Sequence, residues 1–130
     1  MAVMMGYAFN HTRRAFLATR LRFATTHWSR FAGLMGVSAQ LFSSGQGLWI
    51  LPSHGVHTLA MRFPIDVLYL DKAKMVIHME QNLQPWRVAP IKMKAASVLE
   101  LPAQIVQNSG TAVGDQIVIA EGYPTEEFMA

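Results

Sequence analysis

The chain contains no cysteine. Disulfides, thiolate nucleophiles and thiolate metal sites are therefore excluded from any account of its stability or chemistry. Charge is scarce as well: 15% of residues are charged and 52% hydrophobic, a balance that argues against disorder. Acid is missing from the whole first half, where the earliest carboxylate is Asp66. Residues 1–65 carry six arginines and a net charge of +6, and residues 66–130 carry eight acids against five bases, a net of −3. No apolar stretch reaches the roughly 18 to 20 residues that a membrane-crossing helix needs, so no membrane span is expected.

The N-terminal Thr12-Arg13-Arg14-Ala15-Phe16-Leu17 has the look of a twin-arginine export signal. Such a signal requires an uncharged apolar run, and Arg20, Arg22 and Arg30 interrupt it with no small-residue cleavage site in view. The expected location is the cytoplasm. The basic first half lacks the dense basic–aromatic interleaving of nucleic-acid binders, so its arginines are expected to meet the later acids across strands, with no nucleic-acid partner.

What is present is enough for one core. A chain of 130 residues has the common size of a single domain, and nine methionines supply adaptable filling. Residues 1–12 read as a flexible N-terminal arm, 13–121 as the domain, and 122–130 as a C-terminal tail. From Leu17 to Ala24, alternation predicts a half-buried strand. Thr25 or Thr26 caps a helix start; Trp28, Phe31, Leu34 and Met35 share a helical face, with Gly33 inside the helix and Gly36 at its end. Leu48–Leu51 is a short strand stopped by Pro52. His57, Leu59, Met61 and Phe63 alternate with Thr58, Ala60 and Arg62, again predicting a strand.

Ile65–Leu70 reads as a strand buried on both faces except at Asp66. The short polar Asp71–Lys74 then joins it to Met75–Met79 as a hairpin. Residues 81–95 form an extended connection, Ser97–Leu101 a strand, Pro102 to Gly110 a short helix, and Gln116–Ala120 the last strand. Six to seven short strands with two short helices, without regular strand–helix alternation, predict a mainly β (β-rich α+β) domain. Its form would be a small rolled sheet or closed β-barrel.

The stretches Asn10-His11-Thr12-Arg13, Arg30-Phe31-Ala32-Gly33-Leu34-Met35, Gly47-Leu48-Trp49-Ile50, Val56 through Asp71, Val98-Leu99-Glu100-Leu101-Pro102-Ala103 and Gly114-Asp115 occur in this order. Together they resemble the DUF 192 family of bacteria and archaea. The central block from Val56 to Asp71 is the specific part. The resemblance implies a small, mainly β domain with two short helices and no established reaction. Ser53 stands where a cysteine often follows the proline, and Gln104 where glycine often follows Leu-Pro-Ala. If that cysteine carries chemistry in the family, this chain lacks it.

Candidate chemistry is sparse. His54-x-x-His57 has a metal-ligand spacing but no cysteine or acidic third ligand beside it, so no metal and no cofactor are expected. His57 and Asp66 are the candidate catalytic residues, as a base and its orienting acid. Trp49, His57, Met61 and Arg30 are the candidate lining of a ligand pocket. Asp66, Glu100 and Asp115 are expected to be structural polar groups, with Glu100 paired to Arg13, Arg30 or Arg62. No serine elbow or phosphate-cradling glycine loop is present. The leading expectation is a binding or accessory module for a small molecule rather than an enzyme. A His/Asp hydrolase and a protein-interaction module using an edge strand or the N-terminal arm are the alternatives.

Overall fold

In the computed structural model, residues 5–125 are described. Strands β1 (Met5–Asn10) and β2 (Ala15–Ala24) are followed by helix α1 (His27–Ala32), a single 3-10 turn (Ala39–Leu41), and strand β3 (Gln46–Ile50). Strands β4 (Ile65–Leu70), β5 (Val76–Leu83) and β6 (Ser97–Pro102), helix α2 (Ile105–Ser109) and strand β7 (Ile117–Glu121) complete it. The seven strands form one mixed sheet in the order β5-β4-β6-β3-β2-β1-β7. Every neighbouring pair is antiparallel except β2 with β3. The sheet curls into a half-barrel. At one end its edge strands meet, where Met75 bridges Gln116 and the Val76 N–H donates to the Asp115 carbonyl at 2.9 Å.

The curl gives two apolar faces. One cluster gathers Leu17 and Leu21 from β2, Leu68 and Leu70 from β4, Leu99 and Leu101 from β6, and Val106 and Ile117. It fills the inside of the roll. The other gathers Leu48, Ile50, Ile65, Val67, Tyr69 and Val98 on the opposite face, under Leu34, Phe42, Met61 and Phe63. All six residues of β4 are buried because both faces are covered.

The parallel β2–β3 pair sets the cover of the second face, because parallel strands need a crossover. Helix α1 lies in that crossover. Thr26 begins it with a reciprocal capping box: its side chain accepts from the Ser29 N–H, and the Ser29 hydroxyl accepts from the Thr26 N–H. The helix ends at Gly33, whose φ of 47° breaks the turn, so Gly33 terminates α1 rather than sitting inside it. Trp28 and Phe31 are exposed, at 74% and 55%, and do not share the expected buried face with Leu34.

Other expectations are corrected. Residues 5–10, read as part of a loose arm, form β1, hydrogen-bonded to β2 on one side and β7 on the other; residues 1–4 lie outside the described residues, as do 126–130 of the tail. The stretch from His57 to Phe63 is not a strand beyond the bridge of His57 to Val88. The Thr58 N–H donates to the Arg87 carbonyl at 2.7 Å, and its hydroxyl donates to the Gln84 carbonyl at 2.6 Å. Ala60 turns to a φ of 60°. Residues 81–83, placed in a connection, extend β5.

Asp66 is buried and fully engaged by backbone donors. Its two carboxylate oxygens accept the backbone N–H groups of Asn82 and Val106, each at 2.9 Å. The second of these bonds satisfies an early donor of α2. That helix has no cap of its own, since Gln104 sits in the left-handed region at φ 79° without a side-chain cap bond. An L-residue there is strained by about 1 kcal/mol. Gln104→Gly is therefore expected to stabilise the fold by about 0.5–1 kcal/mol in urea unfolding. Unchanged or lower stability would show that position 104 carries no such strain.

Candidate functional site

A cavity of about 370 Å³ opens on the face covered by the crossover. Its lining comes from the end of α1, the segment Gly33–Met35, Ile50 at the end of β3, the loop Pro52–His57, Met61, and Glu100 from the middle of β6. Pairing explains the position of Glu100. In register it stands between Leu48 of β3 and Val67 of β4, so its row neighbours offer no hydrogen bonds. A β-carbon added to Gly33 would lie only 3.9 Å from its Oε1, which places the end of α1 directly over the carboxyl.

Glu100 is 2% exposed, and its Oε2 has no hydrogen-bond partner among the described residues. Burial pushes the carboxyl up to about 8, against a smaller opposing pull from the Arg22 charge. Near neutrality it is a protonated acid. The pairing expected with Arg13, Arg30 or Arg62 is not made: Arg13 instead holds Asp115 through its Nε at 2.9 Å. Arg30 does line the cavity. Its Nη1 donates to the Pro52 carbonyl at 2.9 Å and its Nη2 meets the His27 Nδ1 at 3.0 Å. Its Nε is buried without a partner among the described residues.

His57 lines the cavity with both ring nitrogens engaged. Nε2 lies 2.9 Å from the Phe31 carbonyl, and Nδ1 accepts the Leu59 N–H at 3.2 Å. A ring donating to a carbonyl from Nε2 while accepting at Nδ1 is a neutral imidazole fixed in one tautomer. It is held as wall rather than as a free base. Because both Asp66 oxygens are taken by backbone N–H groups, no His57–Asp66 pair forms, and the hydrolase expectation loses its catalytic dyad. The His54 ring bonds the Ala95 carbonyl through Nδ1 at 2.7 Å. Among the described residues, no group of three or more histidines and acids stands close enough to hold a metal ion.

Arg30, His57 and Met61 are thus brought together as the sequence suggested. Trp49 is not. It lies on the other face of β3 from Ile50, edge-on to Phe23 at 5.4 Å, with the Lys74 ammonium 5.7 Å from its ring. Asp115 belongs to a separate network beside β1, accepting from Asn10, Arg13 and the Ala112 N–H. Burial pushes its carboxyl up, but those donors and the Arg13 charge outweigh burial and hold it below the usual carboxylate range. Sequence reasoning named His54 only for its metal-ligand spacing and Glu100 only as a structural acid, and assigned neither of them, nor Met35, Ile50, Ser53 or Val56, to the cavity lining. The visible signal was an acid flanked by Leu99 and Leu101.

The architecture is that of a small mainly β domain, a curled half-barrel with two short helices. The chain belongs to the DUF192 family of uncharacterized proteins, whose profile it matches over residues 8–119. It is 31% identical over 113 residues to a UPF0127 protein of Pyrococcus furiosus, covering 83% of this chain and 93% of that one. It is 28% identical over 113 residues to a UPF0127 protein of Thermococcus sibiricus, covering 83% of this chain and 71% of that one. Among solved structures, it is similar to a protein of unknown function from Novosphingobium aromaticivorans, with a TM-score of 0.74 at 16% identity, covering 89% of this chain and 84% of that one. It is also similar to a Sinorhizobium meliloti protein called a "putative transcription regulator", with a TM-score of 0.73 at 21% identity, covering 91% and 94%. At these identities the structural likenesses show the fold alone.

Titration of Glu100 should be visible in stability. The folded carboxyl keeps its proton until about pH 8, whereas the unfolded chain releases it near the ordinary value of 4.5. Between those values the native state binds the extra proton, so stability falls as pH rises through the window and stays low above it. In urea unfolding from pH 5 to 9, Glu100→Gln should therefore gain on the wild type by a few kcal/mol, at about 1.4 kcal/mol for each tenfold change in proton affinity. A difference that stays constant with pH would mean that Glu100 ionises like an exposed acid.

Proposed function

We propose that this chain is a small-ligand-binding module whose recognition site is the cavity floored by Glu100. The observation that carries the reading is a buried carboxyl whose Oε2 has no hydrogen-bond partner among the described residues, on the wall of a cavity of about 370 Å³. Leaving such a group unmatched costs about 1–3 kcal/mol, and a ligand that bonds to it recovers that cost. The volume falls in the range of small-molecule sites, and apolar walls with a few converging polar groups are their usual construction. The partner is then a small molecule rather than a nucleic acid. No helix among the described residues is long and apolar enough to cross a membrane. The alternative of an arm offered to a protein partner loses support, because residues 5–10 are already paired on both edges.

The test uses methyl-labelled methionine, since Met35 and Met61 line the cavity while Met93 is exposed and does not line it. Titration with 3-phenylpropionate, 3-phenylpropylamine and 3-phenylpropanol is expected to shift both lining methyls with at least one probe, with a dissociation constant at or below about 1 mM. Ala32→Trp, which fills the mouth from the end of α1, should abolish the shifts while Met93 is unaffected. If no probe moves Met35 or Met61, the module reading fails.

A further inference from the structure

We propose that the cavity is a site for a carboxylate joined to an apolar group, held between Arg30 and Glu100. This rests on the binding-module reading and adds the chemistry of the ligand. Two buried polar atoms on residues lining the cavity lack partners among the described residues: Arg30 Nε, which can only donate, and Glu100 Oε2. The other guanidinium nitrogens each hold one partner, the Pro52 carbonyl and the His27 ring, so the Arg30 head is anchored while its Nε–H is unspent. A ligand carboxylate has an oxygen for each: one accepts from Arg30 Nε–H, the other from the O–H of a protonated Glu100. An acid that holds its proton near neutrality is suited to that second bond.

Charge selects in the same direction. The lining contains a single acid, Glu100, and the cationic or titratable groups Arg30, His54 and His57. An ammonium ligand would meet Arg30 as a like charge, and a neutral alcohol would leave the arginine charge without a counter-ion. The charged or titratable groups placed around Glu100 are Arg30 from α1, His54 and His57 from the loop, and Arg22 from β2, which acts on it from beyond Leu48. On the other flank Val67 intervenes before Glu80 of β5. The remaining walls, Leu34, Ile50, Val56 and Met61, suit an apolar body. Two sources carry this chemistry: a free aliphatic or aromatic acid, and the C-terminal carboxylate of a peptide.

A proton on Glu100 is part of the bond, so binding and protonation are linked. Above the point where Glu100 ionises, affinity should fall by up to tenfold for each pH unit. Glutamine at position 100 donates from its amide and does not titrate. The experiment measures affinity at the Met35 and Met61 methyls from pH 7 to 9.5, on the full chain, for wild type, Glu100→Gln and Arg30→Gln, with urea unfolding confirming that each variant is folded.

At pH 7, 3-phenylpropionate is expected to bind the wild type at least tenfold more tightly than 3-phenylpropylamine or 3-phenylpropanol. That affinity should drop at least tenfold by pH 9.5 in the wild type and less than twofold in Glu100→Gln, and Arg30→Gln should lose at least tenfold at pH 7. A tripeptide ending in free phenylalanine, compared with its C-terminal amide, separates the sources. Tighter binding of the free-ended peptide than of the phenyl acid assigns the site to polypeptide termini, and the reverse assigns it to free acids. Equal binding of the amide overturns the carboxylate. So does preference for the amine, or a pH dependence as steep in Glu100→Gln as in the wild type. Shifts of both methyls with the amine alone would leave the binding module standing and remove this assignment; no shift with any probe removes both.

Discussion

The parallel pairing of β2 with β3 is the constraint from which the site follows. Antiparallel neighbours can be joined by a tight turn, but a parallel pair obliges the chain to travel back across a face of the sheet. Here residues 25–45 make that return, and α1 with its Thr26 capping box and Gly33 stop lies along it. The return carries Arg30 and Phe31 over the row in which Leu48, Glu100 and Val67 are direct neighbours. The loop from Pro52 to His57 closes over the same row, and the Phe31 carbonyl bonded to the His57 ring ties loop to helix. With β3 reversed, a short hairpin would suffice, and Glu100 would be an ordinary half-exposed acid. Desolvation of one carboxyl is thus a consequence of topology.

Much of this topology was legible because some residues allow only one local solution. The β4–β5 hairpin follows from a short polar link between two apolar runs, and the double burial of β4 follows from apolar side chains at consecutive positions. What escaped periodicity depended on distant partners. Met61 and Phe63 are buried as alternation demands, yet their backbone is not a strand. The Thr58 hydroxyl and N–H are bonded to residues 84–87, and no local pattern announces that. The short β1 escaped for the same reason. Its strand character comes from pairing on both edges, and Gly6 permits it: a β-carbon there would stand 2.1 Å from the Ala120 carbonyl oxygen.

The site was legible in part. Arg30, His57 and Met61 were recoverable as polar and sulfur side chains near a strand junction. Trp49 misled because consecutive strand residues point to opposite faces. The sequence shows that Trp49 and Ile50 diverge, but not which face the crossover will cover. Glu100 between two leucines declared a buried acid. Its lack of a partner depended on cross-strand neighbours that a single sequence does not name.

Three buried acids in one small domain are treated in different ways, and the contrast carries functional weight. Asp66 receives two backbone N–H groups, and Asp115 receives Asn10, Arg13 and Ala112. Glu100 alone among the three has a fully buried oxygen without a partner among the described residues, and it alone lines the cavity. The fold is therefore able to satisfy a buried carboxyl twice over. A leucine at position 100 would continue the apolar row from Leu48 to Val67 and remove a cost of about 1–3 kcal/mol, which is a large share of a total stability that is typically about 5–15 kcal/mol. Perturbed, unsatisfied ionisable groups set in a cleft are characteristic of sites that act on something outside the protein. The placing of an unpartnered buried carboxyl on the cavity wall, with well-satisfied acids elsewhere, is what supports the proposal of a binding site on this face.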